Sequence, residues 1–220
     1  MKVHGLATGS LKTIRYRGKT VPTGIFKQPV EGPLRLLFEG VEGDLQVDRK
    51  NHGGRDKAVY LYSLENLRYF SEQRGDPPYL PGHVGENLTI EGLDDDQVHI
   101  GDQFEIGSSR IEISQPRVPC FKLGILMQDP GFVSVFLKSG RTGFYARILQ
   151  EGEVALGDEV QRVHQDPKGV SISTAMKALI KGPEQTLHIQ KVLEVSALSM
   201  AWREDLQKRL KHASSDGEHP

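Results

Sequence analysis

Gln103-Phe104-Glu105-Ile106, then Gly107-Ser108-Ser109, then Arg110-Ile111-Glu112-Ile113-Ser114: two short extended runs stand on either side of a glycine-bearing break. Runs of this kind, bounded by turn residues, read as β-strands. Working outward, similar segments lie at 2–7, 34–39, 58–62, 88–90 and 142–149, each bounded by Gly, Pro or Asp. Glycine accounts for 24 of the 220 residues, above its usual share, so tight turns are frequent. These features predict a mainly β fold, a barrel or a sandwich, rather than a helical bundle.

Helical signals are fewer. Leu64, Leu67 and Phe70 recur at helical spacing after Ser63, an N-cap residue type, and predict a helix that ends before Gly75. A second short helix is predicted over 132–138. Val98-His99-Ile100-Gly101-Asp102 is echoed by Val154-Ala155-Leu156-Gly157-Asp158, and both read as turns that open strands. After His164 the pattern changes: Gln165 to Gly169 reads as a linker, and Ile172, Ala175, Met176, Leu179 and Ile180 follow a helical period up to Gly182-Pro183. Helices over 187–193 and 199–211 complete a small C-terminal extension, so the chain divides into 1–165 and 166–220.

With 28 basic and 29 acidic residues the net charge is -1, which gives no broad field for a nucleic acid polymer or an anionic membrane. No window approaches the ~20 apolar residues that span a bilayer. The single cysteine excludes an intrachain disulfide, and the first residues lack a secretory signal, so a soluble cytoplasmic protein is expected. No G-x-G, Walker loop, H-E-x-x-H or G-x-S-x-G occurs, which disfavours dinucleotide binding, P-loop chemistry, zinc proteolysis and serine hydrolysis.

Five segments carry the remaining chemistry. Val21-Pro22-Thr23-Gly24-Ile25-Phe26-Lys27 places a lysine after a glycine turn, and Asn51-His52-Gly53-Gly54-Arg55-Asp56-Lys57 pairs a histidine with a pliable backbone that suits an anion or simply a turn. Gly85-Glu86-Asn87 opens a strand with a carboxylate and an amide available, or forms an Asx-type turn. In Gln115-Pro116-Arg117-Val118-Pro119-Cys120-Phe121-Lys122 the lone cysteine stands between cations, the setting of a reactive thiolate. In Gly140-Arg141-Thr142-Gly143-Phe144-Tyr145-Ala146-Arg147, period-two geometry puts Arg141, Tyr145 and Arg147 on one face, where arginine forks suit an oxyanion or border a solvent-facing edge.

Taken in order, these five segments resemble the MOSC domain, named for the C-terminal part of molybdenum cofactor sulfurase, and in particular its stand-alone YiiM-type members. The resemblance covers about residues 20–165, and the helical tail is similar to the three-helix extension of that group. It implies a MOSC-type β-barrel with a few short helices that binds the molybdenum cofactor, with Cys120 as the protein's ligand to the metal. Lys27, His52, Asn87, Arg117, Lys122, Arg141 and Arg147 are then the candidates for holding the cofactor's pterin and phosphate. Relatives such as the mitochondrial amidoxime-reducing proteins reduce N-hydroxylated compounds, so the implied reaction is reduction of N–OH to N–H on hydroxylamino-purines and related bases. His52 and Tyr145 are the candidate proton donors. A separate flavoprotein reductase is the expected electron donor, and the chain a monomer or homodimer. The alternative is a non-catalytic carrier of the cofactor or of sulfur through Cys120.

Overall fold

The structure, a computed structural model, describes residues 1–47, 53–180 and 182–216, with side chains through 212. Thirteen strands, numbered β1 to β13 in chain order, and six α-helices make up the described part. The principal sheet has eight strands in the order β13 (Val160–His164), β9 (Gln103–Ile106), β10 (Ser109–Pro116), β11 (Phe144–Gln150), β7 (Val59–Ser63), β8 (Leu88–Glu91), β1 (Lys2–Gly9) and β4 (Lys27–Pro29). The opening stretch forms β9 and β10, which pair antiparallel through Ser109↔Ile106 and Ile111↔Phe104. A three-stranded sheet, β12 (Gly152–Val154), β5 (Leu34–Leu37) and β6 (Gly40–Val41), and a hairpin, β2 (Lys12–Tyr16) with β3 (Lys19–Thr23), complete the β structure.

The barrel expectation needs correcting. Among the described residues the ladder does not close, because β13 and β4 are the outer strands of the eight-stranded order. The sheet curls instead until β1 meets the start of β13 at one isolated bridge, Lys2↔Glu159. There Val3 N–H donates to Asp158 O and Val160 N–H to Met1 O, each at 2.9 Å. The right-handed twist of a β-sheet brings distant strands together in this way without completing a register.

The echoed Gly-Asp turns are real and serve one purpose. Gly101 and Gly157 both take positive φ, 94° and 86°. Asp102 Oδ2 accepts from the N–H of His99, and Asp158 Oδ2 from that of Ala155, three residues upstream in each case. Each turn delivers the chain into β9 or β13, which pair with one another.

Strand β7 is buried at all five positions and separates two cores. Val59 and Leu61 face an aliphatic core with Leu6, Ile90, Phe104, Ile111 and Ile113. Tyr60 and Tyr62 face an aromatic core with Phe70, Phe132 and Phe136. Helix α1 (Leu64–Arg74) supplies Phe70, and the sequence-predicted boundaries hold: Ser63 Oγ accepts from Asn66 N–H, and Gly75 ends the helix in the left-handed region. Through α1 the chain reaches β8, which lies parallel to β7. Helices α2 (Phe121–Leu126) and α3 (Phe132–Lys138) close the aromatic core.

The C-terminal helices α4 (Ile172–Lys177), α5 (Gln185–Leu193) and α6 (Met200–Asp216) turn Ile172, Met176, Ile189, Val192, Trp202 and Leu206 into the aliphatic core beside the strands. Among the described residues, no helix is long and apolar enough to cross a membrane.

Candidate functional site

On the aromatic side of the sheet a half-open pocket is lined by Lys27, Asp44, Tyr60, Asn87, Arg117, Cys120, Lys122 and Tyr145, among others. It holds about 660 Å³ of empty space, counted out to its opening on solvent. Six sequence-predicted residues therefore meet in one cavity: Lys27, Asn87, Arg117, Cys120, Lys122 and Tyr145. His52 lies outside the described residues.

Strand β10 delivers two of them. A register shift between Ile113 and Gln115 bends its end, and the chain leaves through Arg117 into Cys120, which is half-buried at the start of α2. Arg117 is anchored by its own N–H, which donates to Gly143 O at 3.0 Å. Its guanidinium lies over the rings of Tyr60, at 5.0 Å, and Phe136, at 5.4 Å, and the residue is only 5% exposed. Burial opposes its charge, yet Tyr60, Tyr145 and Cys120 outweigh that and hold its pKa above the ordinary value. Its Nη1 has no hydrogen-bond partner among the described residues. A buried cation with an unmet donor is costly, and an anion in the pocket would meet that donor.

The other walls are more occupied than the sequence suggests. Lys27 Nζ donates to both carboxylate oxygens of Asp44, at 2.5 and 2.6 Å, and both side chains are almost fully buried. Burial lowers the Lys27 pKa while Asp44 works in the opposite direction. Asp44 also accepts from the Gly9 N–H at 2.7 Å. Sequence reading passed over Asp44, since an aspartate in a loop carries no local mark of a distant partner. Asn87 ties strands together: its Oδ1 accepts from Tyr60 N–H and its Nδ2 donates to Ala7 O. Glu86, read as a carboxylate open to a ligand, points inward instead, where Gly82 N–H, Val84 N–H and Thr89 Oγ1 donate to it. Burial raises its pKa against those donors.

Tyr145 lies with its ring 5.3 Å from that of Tyr60. Burial raises the pKa of both phenols, with Arg117 acting to lower them, so both stay protonated at neutral pH. Lys122, on the first turn of α2, has no described carboxylate within 4 Å among the ion pairs of the molecule. Gly24 permits the wall behind Lys27, because a Cβ there would meet Leu45 O at 2.1 Å.

Arg141 and Arg147 do not join this pocket, and the expected shared face is corrected. Strand β11 begins only at Phe144, and Gly143 takes φ 64°, so the alternation does not extend back to Arg141. Arg141 lines a second cleft with Asp94, Asp95, Asp96, Lys138 and Lys177, where its Nη1 donates to Asn66 Oδ1 at 2.9 Å. Arg147 is held by Asp56, Glu112 and the carbonyl of Ala197, at 3.0, 2.6 and 2.8 Å. The segment 140–143 serves the pocket through its backbone: Thr142 O and Arg141 O accept from the hydroxyls of Tyr60 and Tyr62. Gly143 N–H donates to Asp95, whose buried carboxyl is pushed up to about 6.

The comparisons agree with this geometry. A family model described as the MOSC domain matches residues 48–161, more than half of the 220. An uncharacterized protein of Bacillus subtilis, YflK, is 36% identical over 207 residues, 94% of this chain and 93% of its own. Protein YiiM of Escherichia coli is 30% identical over 190 residues, 86% of this chain and 84% of its own. The crystal structure of YiiM from Geobacillus stearothermophilus superposes with a TM-score of 0.80 at 32% identity, covering 95% of this chain and 98% of that one. The chain thus belongs to the MOSC domain family and, within it, to the YiiM type.

Proposed function

We propose that the protein is an oxidoreductase that holds the molybdenum cofactor in the Cys120 pocket and reduces N-hydroxylated compounds, hydroxylamino-purines and related bases among them. The observation that carries the proposal is the convergence of a half-buried lone thiol with a buried guanidinium whose Nη1 lacks a partner among the described residues. A soft thiolate suits molybdenum, and the guanidinium suits the cofactor's anionic groups. Among the described residues, no three His, Cys, Asp or Glu side chains cluster to hold a bare ion. A metal bound at Cys120 then brings its remaining ligands with it, as an organic chelate does.

When bound, the cofactor supplies the two-electron chemistry that turns R–NHOH, with two electrons and two protons, into R–NH₂ and water. The chain's own part is placement and proton supply. Cys120 would hold the metal, and Arg117 and Lys122 would hold the cofactor's negative charge beside it. Tyr145, kept a phenol by burial and lining the pocket, would supply a proton there, with His52 as a second candidate donor. Lys27, fixed by Asp44, and Asn87, fixed between two strands, serve as walls. Electrons arrive from a separate flavoprotein, and the cytoplasm keeps the thiol reduced.

Protein purified from a host that makes the cofactor is expected to carry one molybdenum and one pterin per chain. It should turn over hydroxylamino-purine with an artificial reductant. Cys120→Ala is expected to lose the metal and the activity together. Absence of stoichiometric molybdenum in the wild type overturns the reading, and full loading without turnover turns it into the carrier alternative.

A further inference from the structure

The first thirty residues contain six Lys or Arg and no Asp or Glu, in a chain whose net charge is -1. Four of these cations, Lys12, Arg15, Arg17 and Lys19, lie on the β2–β3 hairpin, and all four are exposed. The hairpin turns through Arg17 and Gly18, both at positive φ. Lys12 and Arg17 lie over the rings of Phe26 and Tyr16, and no described carboxylate forms an ion pair with any of the four. Four like charges close together repel, and a fold that keeps them unpaired leaves a local positive field.

That field sits at the mouth of the pocket. The hairpin's root, Thr23, lines the cavity, and at its tip Tyr16 stacks on Phe121, ring centroids 4.1 Å apart, beside Cys120 and Lys122. Around the same opening are exposed apolar side chains: Leu45 and Val118 line the pocket at 40% and 42% exposure. Cations around an apolar centre match a protein face with an acidic rim better than a nucleic acid, which asks for a longer basic track.

We infer that the hairpin and the pocket mouth dock an acidic redox protein, which delivers its electrons at the Cys120 site. This rests on the proposed reductase function: a donor must approach the pocket to supply two electrons, with its flavin hydroquinone oxidised as the N–OH group is reduced. Charge on the hairpin steers the encounter, and the apolar residues seat it.

The test uses cofactor-loaded protein with reduced flavodoxin, a small acidic flavoprotein, as donor and dithionite-reduced benzyl viologen as a chemical control. Arg15→Glu, Arg17→Glu and Lys19→Glu combined is expected to raise the KM for flavodoxin at least tenfold at low salt and to leave the viologen rate unchanged. The wild-type KM should rise with ionic strength, while that of the variant should hardly respond. The glutamine series at the same positions should fall between the two. A carbodiimide cross-link between the hairpin lysines and flavodoxin carboxylates should form in the wild type, loaded or not, and be lost in Lys12→Gln/Lys19→Gln. An unchanged flavodoxin KM, an equal loss with both reductants, or salt-dependent binding of a single-stranded oligonucleotide without any flavodoxin cross-link overturns the docking surface. Failure with viologen as well overturns the reductase reading, and the cross-link then decides on the surface by itself.

Discussion

Arg117 illustrates how a single side chain can oppose stability and serve function. Its guanidinium is buried against two rings, with one nitrogen unmet among the described residues. Replacing it by methionine fills the same space without a buried charge. Arg117→Met is therefore expected to leave the ligand-free protein's stability to urea within about 1 kcal/mol of wild type, or above it. Molybdenum retention after dialysis should fall at least tenfold. Asp44 is the opposite case, because among the described residues it is the carboxylate that pairs with Lys27. Asp44→Asn should cost about 3 kcal/mol in the same denaturation experiment, as expected when a buried pair is broken from one side. The sequence exposes residues with a mark of their own, such as a lone thiol between cations. It hides Asp44 and the true engagement of Arg141 and Arg147, whose meaning depends on partners dozens of residues away.

At the scale of elements, the legible parts were those with a local physical cause. Ser63 caps α1 and Gly75 ends it, and 132–138 is a helix as its apolar spacing implies. The β2–β3 hairpin was missed because each strand carries a single aliphatic residue, Ile14 or Val21, among cations, threonines and a proline. Residues 142 and 143 were misread as strand, and the alternation carried back to Arg141, because the backbone conformation there is set by Tyr60, Tyr62 and Asp95 from other elements. The glycine there is indispensable: a Cβ on Gly143 would meet Leu61 O at 2.5 Å, at a φ that disfavours side chains. Gly143→Ala should destabilise by at least about 3 kcal/mol and loosen Arg117, seen as a lower melting temperature and weaker cofactor retention. Asp95 adds a pH signature. Its carboxyl lies at about 6 when folded against an ordinary 3.8, so the native state binds the extra proton between these values. Stability contributed through this group is accordingly highest below about pH 4 and falls as pH rises through 6. The stability difference between wild type and Asp95→Asn should shift by about 2 kcal/mol from pH 4 to pH 7, against the wild type at the higher pH.

The whole molecule is joined more tightly than a reading in two segments implies. Arg147 and Asp56 reach Ala197 and the N–H of Met200, and Ser199 Oγ donates to Gln115 at 2.7 Å, two residues before Arg117. Trp202 and Leu206 fill the core that Ile111 and Ile113 line. A chain ending at residue 165 should expose that core and elute from a sizing column as aggregate, while Trp202→Ala should cost about 3 kcal/mol or more. The β character was readable from short runs and turn glycines, whereas closure was not, since it depends on the accumulated twist of eight strands. That near-closure has a consequence for biosynthesis. β1 leaves the ribosome before its partners β4 and β8 and long before its final neighbour, residue 159. Translation at about 5–20 residues per second leaves Val3, Leu6 and Ala7 without β8 for roughly 4–20 s. During that interval strand β1 is a natural client for a chaperone that holds short apolar segments.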